Sequence, residues 1–297
     1  MPPLRTTVNP AVPSPVRGAA LDISLPERVA EAPGHTKRDV VQYHERMAPW
    51  LVPQLAPRPI ASPPDAGESA PPFIRVADMA GVVRAVQNGH YEFRTWGARF
   101  PRLERPDRIV LGLAVADAPW GVLRDAAQHA RALLESLGLP PFLKTTGGSG
   151  LEIVVAITRR HQWSEIAEFA HAVARHLVRS RPTVFAAAAG PDARGRVVVG
   201  ARSNDLGRSA VAAYSLRARA GLPVSMPIAW SDLGDVDLRG GHFGIDGVPA
   251  FVAARRDDPW AAYEQSRRTP VAPRTRASSR PSGAPRSSTA GCRSCSR

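Results

Sequence analysis

The segment spanning residues 141–158 constrains the fold more than any other. Two apolar stretches of strand length, Pro141–Thr145 and Leu151–Thr158 (LEIVVAIT), flank the glycine turn TGGSG at 146–150. A turn that short leaves no room for a crossover helix, so the two strands must pair antiparallel. Upstream, Arg108–Ala116 (RIVLGLAVA) is an almost unbroken apolar run, which predicts a strand buried on both faces. Trp120–Leu137 has helical periodicity and stops at Gly138 and Pro140. A second helix is predicted from a Ser164 cap to about Arg179, and Arg196–Arg202 (RVVVGAR) reads as a further strand. Strand, helix, strand pair, helix, strand is the order of an α+β domain on a mixed or antiparallel central sheet flanked by helices. A doubly wound parallel sheet fits it less well.

Before this region, a turn is predicted at Pro33-Gly34. Lys37–Leu55 then carries Val40, Val41, Tyr43, His44, Met47 and Trp50 at helical spacing, which predicts an amphipathic helix broken before Pro53. Residues 57–72 are rich in Pro, Ala and Ser and read as a loop, while Asp78–Asn88 is a short helix ended by Gly89. No apolar run approaches the roughly 18 to 20 residues needed to span a bilayer, so no membrane partner is expected. The first 20 residues contain no apolar stretch behind a basic start, so a secretory signal is not predicted and a cytoplasmic protein is expected.

Charge is distributed unevenly. The formal net charge is +13, but residues 1–20 hold two arginines and residues 269–297 hold six, with no acid in either. These tails carry +8 and leave +5 on residues 21–268. Rich in Ser, Pro and Arg, they are expected to be disordered, with the folded domain at 21–268. Only Lys37 and Lys144 are lysine among 39 basic residues, the others being arginine. The sole cysteines, Cys292 and Cys295, stand in the basic tail without the partners that a four-ligand zinc site needs, and read as adventitious thiols.

Five collinear blocks carry a resemblance. They are HTKRDVVQYHERMAPWLVPQLAPRPI at 35–60, YEFRTWGARFPRLERPDRIVLGL at 91–113, KTTGGSGLEIVVAI at 144–157, VAAYSLRARAGLPVSMPIAW at 211–230 and RRDDPWAAY at 255–263. Together they make the chain similar to the polymerase domain of bacterial DNA ligase D, in the archaeo-eukaryotic primase-polymerase superfamily of non-homologous end joining. The resemblance implies a primase-polymerase-like fold and DNA-directed nucleotidyl transfer. In active relatives Mg²⁺ or Mn²⁺ bridges the triphosphate and the attacking 3′-oxygen, held by clustered carboxylates because hard cations need oxygen ligands.

This chain departs from the family at those positions. The D-x-D of the family's first strand is replaced by Gly112 and Ala114, and the aspartate of the G-R-I-F-V-D strand by Gly200. The family's T-S-G-G-K-G-L-H turn, which contributes serine, lysine and histidine to nucleotide phosphates, has Thr146, Ser149 and Glu152 there. The histidine of E-F-H-x-W is Arg94, R-G-A-T is LGRS at 206–209, and the family's W-P-D-G segment gives way to the proline-rich loop at 61–72. No cofactor is therefore expected. Asp117 and Glu152 are the only nearby carboxylates for a rescued metal site, and one repositioned carboxylate holds Mg²⁺ poorly.

The resemblance leaves a set of phosphate or DNA contacts as expectations: Arg28 and Lys37, matching a pair that grips the 5′-phosphate of the downstream strand, with Arg94, Lys144, Ser149 and Arg217. Both lysines fall where the family also has lysine. Tyr214, Leu216, Met226 and Trp230 read as core residues. The expectation is a pseudoenzyme of the ligase D polymerase type that binds DNA ends or a Ku-like or ligase partner, nucleoid-associated if it binds DNA. The alternatives are an active nucleotidyltransferase using displaced carboxylates, or a non-specific DNA-binding or interaction module acting through its tails.

Overall fold

The computed structural model describes residues 28–29, 32–62, 73–115, 117–234 and 242–271. The tails, most of the proline-rich loop at 61–72, and Cys292 and Cys295 lie outside the described residues.

Six strands build the central sheet, in the order Phe185–Ala186, Val197–Gly200, Arg108–Ala114, Gly150–Ala156, Pro141–Thr145 and Pro227–Ile228. Every neighbouring pair is antiparallel except the first, which is parallel, so the sheet is mixed. The hairpin across the glycine turn forms as expected, with Leu151 opposite Thr145 and Glu152 opposite Lys144. Gly150 is required there, because a β-carbon would stand 2.5 Å from the Leu113 carbonyl oxygen.

Among the described residues, five helices accompany the sheets: α1 (Lys37–Leu55), α2 (Met79–Gln87), α3 (Trp120–Ser136), α4 (Trp163–Ser180) and α5 (Val248–Ala254). Helices α3 and α4 pack across the central sheet and bury Leu123, Ala126, Ala130 and Leu134, and Ile166, Phe169, Val173 and Leu177. A second sheet, ordered Ser209–Val211, Arg94–Trp96, Ile60–Ala61, Phe73–Ile74, is tied to the first by Arg108. Its Nη2 donates to the Thr95 carbonyl at 2.7 Å and to Thr95 Oγ1 at 2.9 Å.

Several local expectations are corrected. Helix α1 runs through Pro49 and Pro53 instead of breaking. Both prolines are exposed, while Met47, Leu51 and Leu55 are fully buried, and that burial outweighs the backbone hydrogen bonds the prolines remove. Pro33 and Gly34 lie within the strand Ala32–Thr36, not in a turn. Helix α4 begins at Trp163, whose Nε1 donates to the Leu103 carbonyl at 2.8 Å. Gln162 rather than Ser164 is its cap residue, its N–H donating to Glu165 Oε2 at 2.7 Å.

The strand Arg108–Ala114 is not buried on both faces along its length. Ile109, Leu111 and Leu113 are buried, whereas Gly112 is half-buried and Ala114 exposed. One face closes on the helices and the other opens towards solvent at its C-terminal end.

Candidate functional site

The opened face is where the three family aspartate positions converge. Gly112 pairs with Glu152 on one side and Gly200 on the other, and Ala114 pairs with Gly150 and Val198. Because alternate residues of a strand share a face, Gly112, Ala114, Gly200 and Glu152 all project to the same side. Adding Lys144, opposite Glu152, and Pro227, opposite Lys144, gives one row across five strands: Pro227, Lys144, Glu152, Gly112, Gly200. Nothing crowds its open end. A β-carbon at Gly112 would meet only the Gly200 carbonyl, at 3.8 Å, and one at Gly200 would meet nothing within 4 Å.

The residues present do not fit a divalent cation. Among the described residues, no group of three or more His, Cys, Asp or Glu side chains is arranged to hold one. Glu152 is the carboxylate of the row, and its Oε2 lies 2.6 Å from Lys144 Nζ, with the two side chains 14% and 3% exposed. Lys144 also donates to Ser225 Oγ at 2.7 Å. Burial pushes the Lys144 ammonium below its ordinary value, against the pull of Glu152. Asp117 is exposed beyond the strand end, where its Oδ1 accepts from the Gly195 N–H at 3.2 Å. Each rescue carboxylate thus already has a partner, a lysine in one case and a backbone amide in the other.

Arg217 is not on a strand; it follows an isolated bridge between Leu216 and Val224. It is buried, with its Nη1 donating to the Thr146 carbonyl and its Nε 3.1 Å from Glu92 Oε2. The glycine turn sits directly over it, since a β-carbon at Gly147 would stand 2.5 Å from Arg217 Cγ. Its role in the fold is to hold that turn. Glu92, which sequence reasoning did not single out, joins Arg217 to Arg94: its Oε1 accepts from Arg94 Nη1 at 3.1 Å and its Oε2 from the Ala218 N–H at 3.0 Å. Burial works to raise the Glu92 carboxyl, but Arg217 and the Ala218 N–H outweigh it and hold it below its ordinary value. Arg94, partly exposed, also donates to Ser209. Ser149 is at the exposed tip of the turn, its hydroxyl donating to the Val115 carbonyl at 3.1 Å. The core residues of this block lie as expected, Tyr214, Leu216 and Met226 buried and Trp230 partly so.

Arg28 and Lys37 come together at a separate place. Arg28 pairs with Thr36 in a two-stranded ribbon, next to Lys37 at the first turn of α1. Lys37 Nζ donates to the Gln87 carbonyl at the end of α2, at 3.2 Å.

The profile of the LigD primase-polymerase domain matches residues 61–260. The chain belongs to that family. The multifunctional non-homologous end joining protein LigD of Pseudomonas aeruginosa is 36% identical over 308 residues, an alignment covering 88% of this chain and 36% of the relative. LigD of Mycolicibacterium smegmatis is 27% identical over 262 residues, covering 76% and 34% respectively. The chain therefore spans about a third of the length of these curated relatives. A solved polymerase domain from Mycobacterium tuberculosis ligase D, in complex with DNA, superimposes with a TM-score of 0.67 at 23% identity, over 77% of this chain and 92% of that one. That likeness establishes the LigD polymerase fold. No helix among the described residues is long and apolar enough to cross a membrane.

Proposed function

We propose that this LigD polymerase-type domain serves double-strand-break repair by holding DNA ends without metal-dependent nucleotidyl transfer. One observation carries the reading: across the row Lys144, Glu152, Gly112, Gly200, the carboxylate that remains is neutralised by a buried lysine. Two-metal chemistry requires several anionic oxygens to strip and position a hard cation, and this face offers none to spare. The DNA complex of the solved relative supports DNA ends as the ligand class. Arg28 and Lys37, adjacent through the ribbon register, are the contacts proposed for a 5′-phosphate, which favours charge-assisted hydrogen bonds from basic side chains. A Ku-like or ligase protein is the proposed partner that would carry a held end to sealing.

Primer extension tests the catalytic half directly. With Mn²⁺ and a gapped, 5′-phosphorylated duplex, no incorporation above the level of a chelated control is expected. Incorporation that the chelator abolishes would overturn the reading. For the binding half, Lys37→Ala and removal of the 5′-phosphate are expected to weaken binding alike.

A further inference from the structure

The arginines of this chain fall into two populations. Arg58, Arg99, Arg131, Arg217, Arg255 and Arg267 all face carboxylates within ion-pair distance. Around the C-terminal half of α4 the pattern reverses. Arg175, His176 and Arg179 line its exposed face, Arg181 follows at its end, and Arg194 and Arg202 come from later segments; all six are exposed. None has an acidic partner within ion-pair distance among the described residues.

These segments meet in space. Arg196 Nη1 donates to the Pro182 carbonyl at 2.9 Å, which lays the 194–196 segment against the end of α4. The short 3-10 turn Arg202–Asn204 packs on α4, and the residue after it, Asp205, contacts His171 Nε2 at 3.0 Å. Of the local carboxylates, Asp205 is thereby occupied by His171 and Asp117 by the Gly195 N–H, while Asp192, exposed in the same segment as Arg194, makes no ion pair with these six residues. The partial negative charge at the end of a helix accounts for Arg179 in the last turn, but not for arginines contributed by two other segments. Helix α4, with Arg175 and Arg179, packs on the helix side of the central sheet, opposite the open row of Gly112 and Gly200, while Arg194 flanks the strand end where the Gly195 N–H reaches Asp117.

We infer that the C-terminal face of α4, with Arg194 and Arg202, binds the phosphate backbone of double-stranded nucleic acid, without regard to ends or sequence. A polyphosphate chain is the partner that suits a series of exposed guanidinium groups without carboxylate partners, which bind phosphate bidentately and stay charged at all relevant pH. An acidic protein is the competing partner, and the experiment separates the two.

The probe is covalently closed circular duplex DNA, which has no ends, titrated against the full chain and its Arg175→Glu, Arg179→Glu, Arg202→Glu variant. The variant should bind at least tenfold more weakly, and the slope of log affinity against log salt should shrink by about three, at roughly 0.9 per lost phosphate contact. Unchanged affinity and slope would overturn the inference. So would competition by polyglutamate as effective as competition by DNA at equal charge. If charge reversal impairs folding, the Arg→Gln version of the same three changes carries the test with the same expected slope. Because the circle lacks a 5′-phosphate, a failure of end binding at Lys37 leaves this result untouched, and the converse holds.

Discussion

Glu152 on one strand answers to Lys144 on the next, Oε2 to Nζ at 2.6 Å, so the carboxylate of this row faces a lysine. The contact is a charge pair rather than an aligned hydrogen bond, and it lies in the row Pro227, Lys144, Glu152, Gly112, Gly200. Removing one partner leaves the other charge poorly solvated. Glu152→Gln should therefore cost about 3 kcal/mol of unfolding free energy, the low end for breaking a buried pair because Glu152 keeps some exposure. Replacing both, as Lys144→Met with Glu152→Leu, should recover most of that loss. Urea denaturation of the three variants measures it; additive losses would show that the two side chains act separately.

Restoring Gly112→Asp, Ala114→Asp and Gly200→Asp together should create a Mn²⁺ site, since the first and last positions have open space for a β-carbon and the second is exposed. Without metal the variant should be less stable than the native chain, because three carboxylates share one face. Mn²⁺ should raise its Tm and not that of the native chain. Equal Tm responses in the two proteins would show that the backbone no longer presents these positions to one ion.

Two glycines at the same site should respond oppositely to alanine. Gly150→Ala drives a β-carbon to 2.5 Å from the Leu113 carbonyl, a backbone atom that cannot swing aside, and should cost at least about 2 kcal/mol. Gly200→Ala meets nothing within 4 Å and should be neutral or stabilising by up to about 1 kcal/mol through a less disordered unfolded chain. Thermal unfolding distinguishes the pair.

Asp107 is fully buried, accepts from Arg58 at 2.6 and 2.9 Å, and lies 2.6 Å from Arg99 Nε. Burial works against its charge, yet Arg58 and Arg99 hold its carboxyl at about 2. Asp107→Asn would leave several guanidinium groups without their anion and should destabilise by about 3–5 kcal/mol. Since Arg267 also reaches Asp107, early proteolysis of the segment 264–271 in this variant is the accompanying readout.

Acid sensitivity should begin with His44, whose ring is fully buried, donates Nδ1–H to the Val40 carbonyl at 2.8 Å, and is pushed by that burial from 6.5 to about 4. The unfolded chain binds the extra proton, so His44 favours the fold fully above about pH 6.5 and less as pH falls towards 4. The integrated loss is roughly 3 kcal/mol, and Asp107 adds a further loss as pH falls from 3.8 through about 2. Replacing the histidine, as in His44→Leu, should flatten the stability profile between pH 6.5 and 4; an unchanged profile would place the sensitivity elsewhere.

What the residues determined by themselves were the elements set by periodicity and turn chemistry. The glycine turn at 146–150 could close only an antiparallel hairpin, and the apolar spacing of α1 to α4 placed those helices to within a few residues. Order along the chain also carried the family, because five blocks in sequence constrain one another. The tertiary structure decided the rest, and in each case the cause was a neighbour distant in sequence. Pro53 looked like a break until the burial of Leu51 and Leu55 outweighed it. Arg217 is by sequence a candidate for phosphate contact or for packing, and only the fold shows that Glu92, 125 positions earlier, and the Thr146 carbonyl pair with its guanidinium. That Gly112 and Gly200 share one row, and that Lys144 answers Glu152 within it, follows from strand register, which pairs residues far apart in the chain and which no local pattern encodes.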